Sequence, residues 1–179
     1  MNDPNDKKHE NSIKNLTLAM QFDALNPSVY YNFALVSMEA GNYNDAVAYL
    51  LKAIEFTKNK EDKCEYYIKL SICHNNLGNV FEEKKALSDL LKLDEKNPMG
   101  LYRSGLMCVA QHDTKNAEEY FKKALLYDPD LIKAKYNLAL IYESNNRDRA
   151  KELYIEVLEQ DPSFEEAKNA LADLATSDY

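Results

Sequence analysis

The sequence predicts an all-α protein folded as an α-solenoid, in which antiparallel helix pairs stack one on the next. The first observation is composition: only 4 Gly and 5 Pro occur among 179 residues, whereas the helix-favouring Ala, Leu, Lys and Glu are abundant. The second is a recurring pattern of Ala, a large residue, Ala and Pro, as at Ala117, Phe121, Ala124 and Pro129. Its period is near 34 residues, and a period of this length is typical of solenoids.

Two segments precede the repeating part. Residues 1–11, MNDPNDKKHEN, are polar and charged, and we expect them to be disordered. Residues 12–26 place Ala19, Phe22 and Leu25 on one apolar face. This pattern predicts an N-terminal helix that packs against the first repeat.

Four repeats follow, each with two helical stretches separated by a turn signal rich in Gly, Asn and Asp, such as EAGNYND or NLGNVFE. Asn26 and Asn97 each precede a proline, which places a capping side chain ahead of proline at the first helical position. A terminal stretch with the sequence EEAKNALADLA predicts a capping helix. The predicted repeats span residues 27–63, 64–97, 98–131 and 132–164, and the capping helix with its tail spans 165–179.

Small residues recur where the two helices of each repeat would cross. Small side chains allow two helices to approach closely, and larger side chains then fill the space beside the crossing. One helix pair cannot bury its apolar faces alone, so the pattern must recur in every repeat. The small positions are Ala34, Ser71, Gly105 and Ala139 in the first helices and Ala46, Ala117 and Ala150 in the second helices, and the large ones are Leu50, Leu87, Phe121 and Tyr154.

The second repeat departs from this pattern. Glu83 stands where the other repeats have Ala, and Leu90 stands where two of them have Ala. We therefore expect the second helix pair to be shifted or looser at these positions.

The segments NLALIYESNNRDRAKELYIEVLEQDP and SGLMCVAQHDTKNAEEYFKKALLYDP resemble the tetratricopeptide repeat in their small, aromatic and proline positions. The resemblance extends over residues 27–164. It implies a right-handed array of four units, flanked by the N-terminal helix and the capping helix, with the first helices lining a concave face. It also implies that the function is to bind another protein.

The outward positions of the first helices define a candidate peptide-binding groove. Its centre is apolar, with a row of mainly tyrosines expected to be exposed beside an aliphatic row. Asn side chains can hold a peptide backbone from donor and acceptor sides, and Lys69 with Arg103 can meet a carboxylate. The predicted groove residues are Tyr31, Asn32, Leu35, Met38, Ile68, Lys69, Ile72, Asn75, Met99, Tyr102, Arg103, Leu106, Tyr136, Asn137 and Leu140.

Some members of this family hold the acidic C-terminal tails of chaperones with a carboxylate clamp of Lys, Asn and Arg. Here Tyr31 and Leu35 stand where the clamp needs Lys and Asn. We therefore expect the chain not to recognise such tails.

The favoured function is a non-catalytic interaction module that binds a peptide or helical segment of a partner protein. One alternative is a small acidic chaperone resembling those that hold secretion-system translocators. Another is a structural protein that self-assembles into homo-oligomers through the helix containing SIKNLTLAM. A metal cluster of Cys73 and His74 with Cys108 and His112 is geometrically conceivable, but core cysteines and turn histidines are the favoured interpretation.

Charge and composition exclude several other classes. From Glu143 onward the chain has ten acidic and four basic residues, so −6 of the net charge of −8 lies there and disfavours nucleic acid as a partner. The apolar stretches are too short to cross a membrane, and the polar N-terminus predicts a cytoplasmic protein. No nucleophile with its base, phosphate loop or paired acid is evident, so we predict no enzyme activity, no cofactor and no metal.

Overall fold

The computed structural model describes residues 4–176, and the side chains of residues 13–176. Every regular element in this part of the chain is an α-helix. None of these helices is long and apolar enough to span a bilayer. The helices are α1 Pro4–Phe22, α2 Pro27–Glu39, α3 Tyr43–Phe56, α4 Lys60–Asn76, α5 Val80–Leu93, α6 Pro98–Ala110, α7 Thr114–Tyr127, α8 Ile132–Tyr142, α9 Arg147–Gln160 and α10 Glu165–Thr176.

The chain forms two compact units, unit 1 at Met1–Glu95 and unit 2 at Lys96–Tyr179. Unit 1 contains the pairs α2 with α3 and α4 with α5, and unit 2 contains α6 with α7 and α8 with α9. Because three or four residues join the two helices of each pair, the helices run antiparallel. We call α2, α4, α6 and α8 the first helices, and α3, α5, α7 and α9 the second helices.

Polar caps fix the starts of α2 and α6, and positive backbone dihedrals follow the ends of α2 and α4. Asn26 accepts a hydrogen bond from the backbone N–H of Ser28 at 3.0 Å, and Asn97 accepts one from Gly100 at 2.9 Å, as the sequence predicts. After α2 and α4 the chain turns through Gly41 and Gly78, whose φ angles are +74° and +69°. Glycine adopts this left-handed conformation without the steric cost of a Cβ atom.

The predicted small and large positions form the core of the helix pairs. All seven small residues are buried, and so are the four large residues that fill the space beside each crossing. Gly105 shows why one position must be small, because a Cβ atom there would lie 2.5 Å from Cε1 of Phe121. The crossing pattern read from the sequence is therefore confirmed.

The second repeat begins earlier than its sequence predicts. Helix α4 starts at Lys60, four residues before the predicted boundary at Cys64, because the Asn59 side chain accepts a hydrogen bond from the Asp62 N–H at 3.0 Å. Glu83 is only 4% exposed, and its carboxylate accepts a hydrogen bond from the amide of Asn75 at 3.2 Å. Leu90 is completely buried, so this pair packs closely at both departures from the pattern.

The flanking helices also differ in extent from the predicted segments. Helix α1 begins at Pro4, so residues 4–11 are helical, and residues 1–3 lie outside the described part. A proline suits this place because the first helical residue needs no hydrogen-bonded N–H. The helix ends at Phe22 because the Asp23 carboxylate accepts a hydrogen bond from the Leu25 N–H at 3.2 Å, which forms a turn.

The C-terminal helix α10 packs against α9 through the buried side chains of Ala167 and Leu174. It therefore covers the last helix pair of unit 2 on the side of α9. Residues 177–179 lie outside the described part.

Candidate functional site

In unit 1 the predicted groove residues occupy α2 and α4, and we call this set the unit 1 face. Only its two asparagines are exposed. The other six are half-buried, so each contributes to packing and to the surface. The unit 1 face consists of Tyr31, Asn32, Leu35, Met38, Ile68, Lys69, Ile72 and Asn75.

Tyr31 connects the two first helices of unit 1. Its hydroxyl donates a hydrogen bond to the Glu65 carboxylate on α4, and its ring centroid lies 4.7 Å from that of Tyr66. Burial raises the pKa of the Tyr31 hydroxyl, and the hydrogen bond to Glu65 raises it further. Tyr31 is therefore part of the packing between neighbouring repeats as well as part of the surface.

Asn75 is exposed, but its amide group is already directed at α5, where it donates to Glu83. A peptide backbone would have to share this amide or use its oxygen. Asn32 and Lys69 lie on the same face, exposed and half-buried respectively. Asn32 and Lys69 are therefore the polar side chains of the unit 1 face that remain available to contact a peptide.

In unit 2 the predicted groove residues occupy α6 and α8, and we call this set the unit 2 face. Its members range from buried to exposed, with Leu140 the most accessible at 40%. The unit 2 face consists of Met99, Tyr102, Arg103, Leu106, Tyr136, Asn137 and Leu140.

Tyr102 differs from its predicted exposure, because only 8% of it is accessible. The Phe121 ring fills the space beside Gly105, where a Cβ atom would clash with it, and the Tyr102 ring packs against Phe121 with the two centroids 5.8 Å apart. Burial raises the pKa of the Tyr102 hydroxyl, while Arg103 and a hydrogen bond with Asn137 lower it. Tyr102 is thus mainly a core residue.

Asn137 is committed to contacts within unit 2. Its amide donates to the backbone carbonyl of Lys133 at 2.7 Å, and its side chain hydrogen-bonds the Tyr102 hydroxyl. This pair connects α6 with α8, as Tyr31 and Glu65 connect α2 with α4. The predicted role of Asn137 in holding a peptide backbone would compete with both hydrogen bonds.

Tyr136 is held by two other aromatic rings. Its centroid lies 5.8 Å from that of Tyr154 and 5.1 Å from that of Phe164. The side chain is half-buried, and burial, together with the charges of Glu166 and Glu143, raises the pKa of its hydroxyl. Tyr136 therefore presents a fixed aromatic surface beside two carboxylates.

The aliphatic row keeps its accessibility in both units. Leu35 and Ile72 are half-buried in unit 1, Leu106 is half-buried in unit 2, and Leu140 is exposed. The tyrosine row is less exposed than the sequence predicts, because the rings of Tyr31, Tyr102 and Tyr136 pack against other aromatic rings. Tyr31 and Glu65, which are joined by a hydrogen bond, are 34 residues apart, so the repeat period is the sequence signal for this contact.

The residues considered for metal binding do not assemble into a site. Cys73 and His74 are buried in unit 1, whereas Cys108 is half-buried and His112 exposed in unit 2. His112 has a φ of +59°, because it occupies the turn position that glycine fills in the first two repeats. Among the residues whose side chains are described, no group of three His, Cys, Asp or Glu side chains is placed to hold a metal.

Stacked antiparallel helix pairs with small residues at their crossings define the class of all-α repeat solenoids. Two models with the description Tetratricopeptide repeat match the sequence, one at residues 27–60 and one at residues 109–175. The chain belongs to the tetratricopeptide repeat family.

Curated relatives share parts of this sequence. The uncharacterized protein ycf37 of Cyanophora paradoxa is 39% identical over an alignment of 111 residues, and the alignment covers 55% of this chain and 64% of ycf37. The peptidyl-prolyl cis-trans isomerase FKBP4 of Homo sapiens is 26% identical over an alignment of 159 residues, and the alignment covers 85% of this chain and 34% of FKBP4. The chain thus spans less than two thirds of the length of these relatives.

Solved structures share the fold. MamA has a TM-score of 0.70 and 22% identity, covering 94% of this chain and 99% of MamA. Cut9 in the APC/C assembly Cut9-Hcn1 has a TM-score of 0.78 and 18% identity, covering 96% of this chain and 34% of that one. YrrB, a tetratricopeptide repeat protein with an unusual peptide-binding site, has a TM-score of 0.66 and 19% identity, covering 92% and 84%. At these identities the likeness concerns the fold alone.

Proposed function

We propose that the chain is a non-catalytic scaffold that binds a peptide or helical segment of another protein on its first helices, at the unit 1 face or at the unit 2 face. The observation that carries this proposal is the aliphatic row, which stays accessible at the same position of all four repeats. A single exposed apolar residue is ordinary, but a position repeated in this way supports a binding surface. The solved relative YrrB, described as having a peptide-binding site, supports the same class of ligand.

The faces favour a largely apolar segment. Leu35, Ile72, Leu106 and Leu140 supply apolar contacts, and Lys69 and Arg103 are cations beside them on α4 and α6. An extended segment would bury every second side chain on such a surface, and an amphipathic helix would bury the apolar side chains of one face. The carboxylate clamp is not required for either mode.

Photocrosslinking tests the proposal directly. Benzoylphenylalanine is placed at Leu35 or Leu140 on the first helices, and at Leu51 or Leu126 on the second helices as matched controls. The controls are well suited because they are more exposed, at 52% and 70%. We expect a discrete protein adduct from the first-helix positions only, and equal or stronger adducts from the second-helix positions would contradict the proposal.

The captured segment also separates two roles of the same faces. A soluble peptide or helix would identify an adaptor. A membrane-active helix would identify an acidic chaperone of the kind that shields translocators. Both outcomes keep the faces as the binding site, and the adduct sequence decides between them.

We propose self-assembly as a second candidate function, through exposed apolar side chains at the C-terminal end of α1 and in the turn that follows it. Phe22 is 91% exposed and Leu25 is 65% exposed, whereas large apolar side chains are usually covered. A second copy of the chain would cover them. Light scattering across protein concentrations tests this, with dimers expected for the wild type and monomers for Phe22→Ser; concentration-independent monomers of the wild type would contradict it.

A further inference from the structure

Unit 2 contains a cleft between α8 and α10 with a volume of about 520 Å³. One wall is formed by Tyr136, Leu140 and Glu143 on α8, and the other includes Glu166 and Leu174 on α10. The capping helix thus contributes half of a cleft whose other half belongs to the unit 2 face. A volume of this size accommodates a side chain and the backbone around it.

The apolar part of the cleft walls is held in place by packing. The Tyr136 ring is fixed between Tyr154 and Phe164, at centroid distances of 5.8 and 5.1 Å. Leu140 is 40% exposed beside it, and Leu174 is buried on the facing helix. Such a surface suits the methylene stem of a long side chain, whose polar end then reaches the rim.

The rim carries negative charge from both walls. Glu143 accepts a hydrogen bond from the Tyr154 hydroxyl at 2.6 Å, which fixes its carboxylate, and Glu166 lies on the facing helix. Both carboxylates are close enough to Tyr136 to raise the pKa of its hydroxyl. Among residues with described side chains, no Lys or Arg forms an ion pair with Glu143 or Glu166.

We propose that this cleft binds a lysine or arginine side chain of the partner segment, with the stem against Tyr136 and Leu140 and the cation between Glu143 and Glu166. This inference rests on the proposed function and adds a charge requirement to it. Carboxylates on two walls stabilise a cation, and an aromatic face nearby adds a cation–π contribution. The same charges repel an acidic segment, so the cleft selects partners by charge as well as by shape.

The test uses two probes that have nearly the same shape and differ in charge. The full-length, ¹⁵N-labelled protein is titrated with N-acetyl-arginine amide and, separately, with N-acetyl-citrulline amide. We expect backbone amide shifts within residues 136–143 and 166–174 for the arginine probe and none for the neutral probe. Equal shifts for both probes, no shifts, or shifts spread over acidic positions outside the cleft would each overturn the proposal.

A pair of matched variants isolates the rim charge. Glu166→Gln removes a carboxylate from the cleft, and Glu165→Gln removes one from the neighbouring position, where it pairs with Lys168 at 2.6 Å. We expect Glu166→Gln to weaken binding of N-acetyl-arginine amide roughly fivefold, as for a partly exposed ion pair, and Glu165→Gln to leave it unchanged. Equal effects of the two variants would show general acidic attraction and overturn the proposal.

The outcome is distinguishable from a failure of the proposed function. If the arginine probe does not bind but first-helix crosslinks persist, the cleft assignment is wrong and the scaffold stands. If the probe binds the cleft but no first-helix crosslink forms, the proposed partner binding is wrong. Circular dichroism of each variant confirms that the helices are retained.

Discussion

At the scale of single residues, the contact between Gly105 and Phe121 sets how closely α6 and α7 approach. Phe121 is completely buried, and a Cβ atom on Gly105 would meet three of its ring atoms within 3.0 Å. The same crossing has Ala34 opposite Leu50 in the first repeat and Ala139 opposite Tyr154 in the fourth. The size of the opposing residue does not explain the glycine, and the position of the Phe121 ring against Gly105 does.

We predict that Gly105→Ala destabilises the protein. Overpacking a buried ring costs about 3 kcal/mol, and the better helix propensity of alanine offsets about 1 kcal/mol, which leaves a net loss of about 2 kcal/mol. Urea denaturation followed by circular dichroism measures the change. In a Phe121→Leu background the same substitution is expected to cost much less, and an equal cost in both backgrounds would contradict the steric explanation.

His74 is a residue whose protonation should oppose folding. It is 8% exposed, and its Nδ1 atom has no hydrogen-bond partner among the described residues. Burial lowers the pKa of the His74 imidazole below its ordinary value of 6.5, and Lys85 lowers it too, although Glu82 and Glu83 act in the opposite direction. The unfolded chain therefore binds a proton at a higher pH than the folded protein does.

We predict that His74 makes the free energy of unfolding decrease as the pH falls below 6.5, until the pH reaches the folded-state pKa. Each tenfold difference in acidity constant between the two states contributes about 1.4 kcal/mol. Urea midpoints at pH about 7.5 and about 5.5 measure this for wild type, His74→Gln and the exposed control His112→Gln. The free energy of unfolding of His74→Gln should depend less on pH than that of wild type. If it depends on pH as strongly as that of the control His112→Gln, the prediction is contradicted.

At the scale of elements, the starts of α2, α4 and α6 depend on specific capping side chains, whereas α8 begins after Leu131 without one. Asn97 caps α6 through the Gly100 N–H, whereas Asn79 occupies the same position before α5 without a side-chain capping hydrogen bond. This difference gives a matched pair of asparagines. Residue type alone does not distinguish them.

We predict that Asn97→Ala lowers the free energy of unfolding by about 1 kcal/mol, because an orphan N–H of the first turn loses its acceptor. Asn79→Ala should change it by much less. Thermal or urea denaturation compares the two variants with wild type. Equal losses would show that the capping hydrogen bond is not the source of the effect.

The sequence predicted the elements better than their boundaries and surfaces. Crossing residues, prolines and turn glycines are local signals, and they placed the four helix pairs correctly. The start of α4 was missed because Asn59 acts as a cap without a following proline. The burial of Tyr102 is not evident from the sequence because it depends on the packing of its ring against Phe121, which is a contact between α6 and α7.

At the scale of the whole molecule, charge is the property that the sequence determines most directly. The net charge is −8, and the part from Glu143 onward carries −6 of it. Clustered lysine and arginine provide most of the affinity for phosphate backbones, so we predict no retention of DNA or RNA in a mobility-shift assay at physiological salt. Retention that weakens steeply as salt is raised would contradict this prediction.

There is a physical reason why the sequence predicts the candidate site only in part. Repeats keep the same packing whatever lines their first helices, so the fold does not determine the ligand. The pattern predicts the positions of the faces, but the extent to which Tyr31, Tyr102 and Asn137 are used in packing emerges only from the structure. The cleft beside Glu166 likewise needs α10 to be placed against α8.

The central claim is that the first helices, and not the second, bind the partner. The most direct measurement is quantitative capture of the crosslinked partner by wild type, by the first-helix variant Leu106→Ser with Leu140→Ser, and by the second-helix control Leu51→Ser with Leu126→Ser. Tyr102 is left intact because it is buried. We predict at least about a tenfold loss for the first-helix variant, since two apolar side chains each contribute about 1–2 kcal/mol, and little change for the control. Equal capture by the two folded variants would contradict the claim.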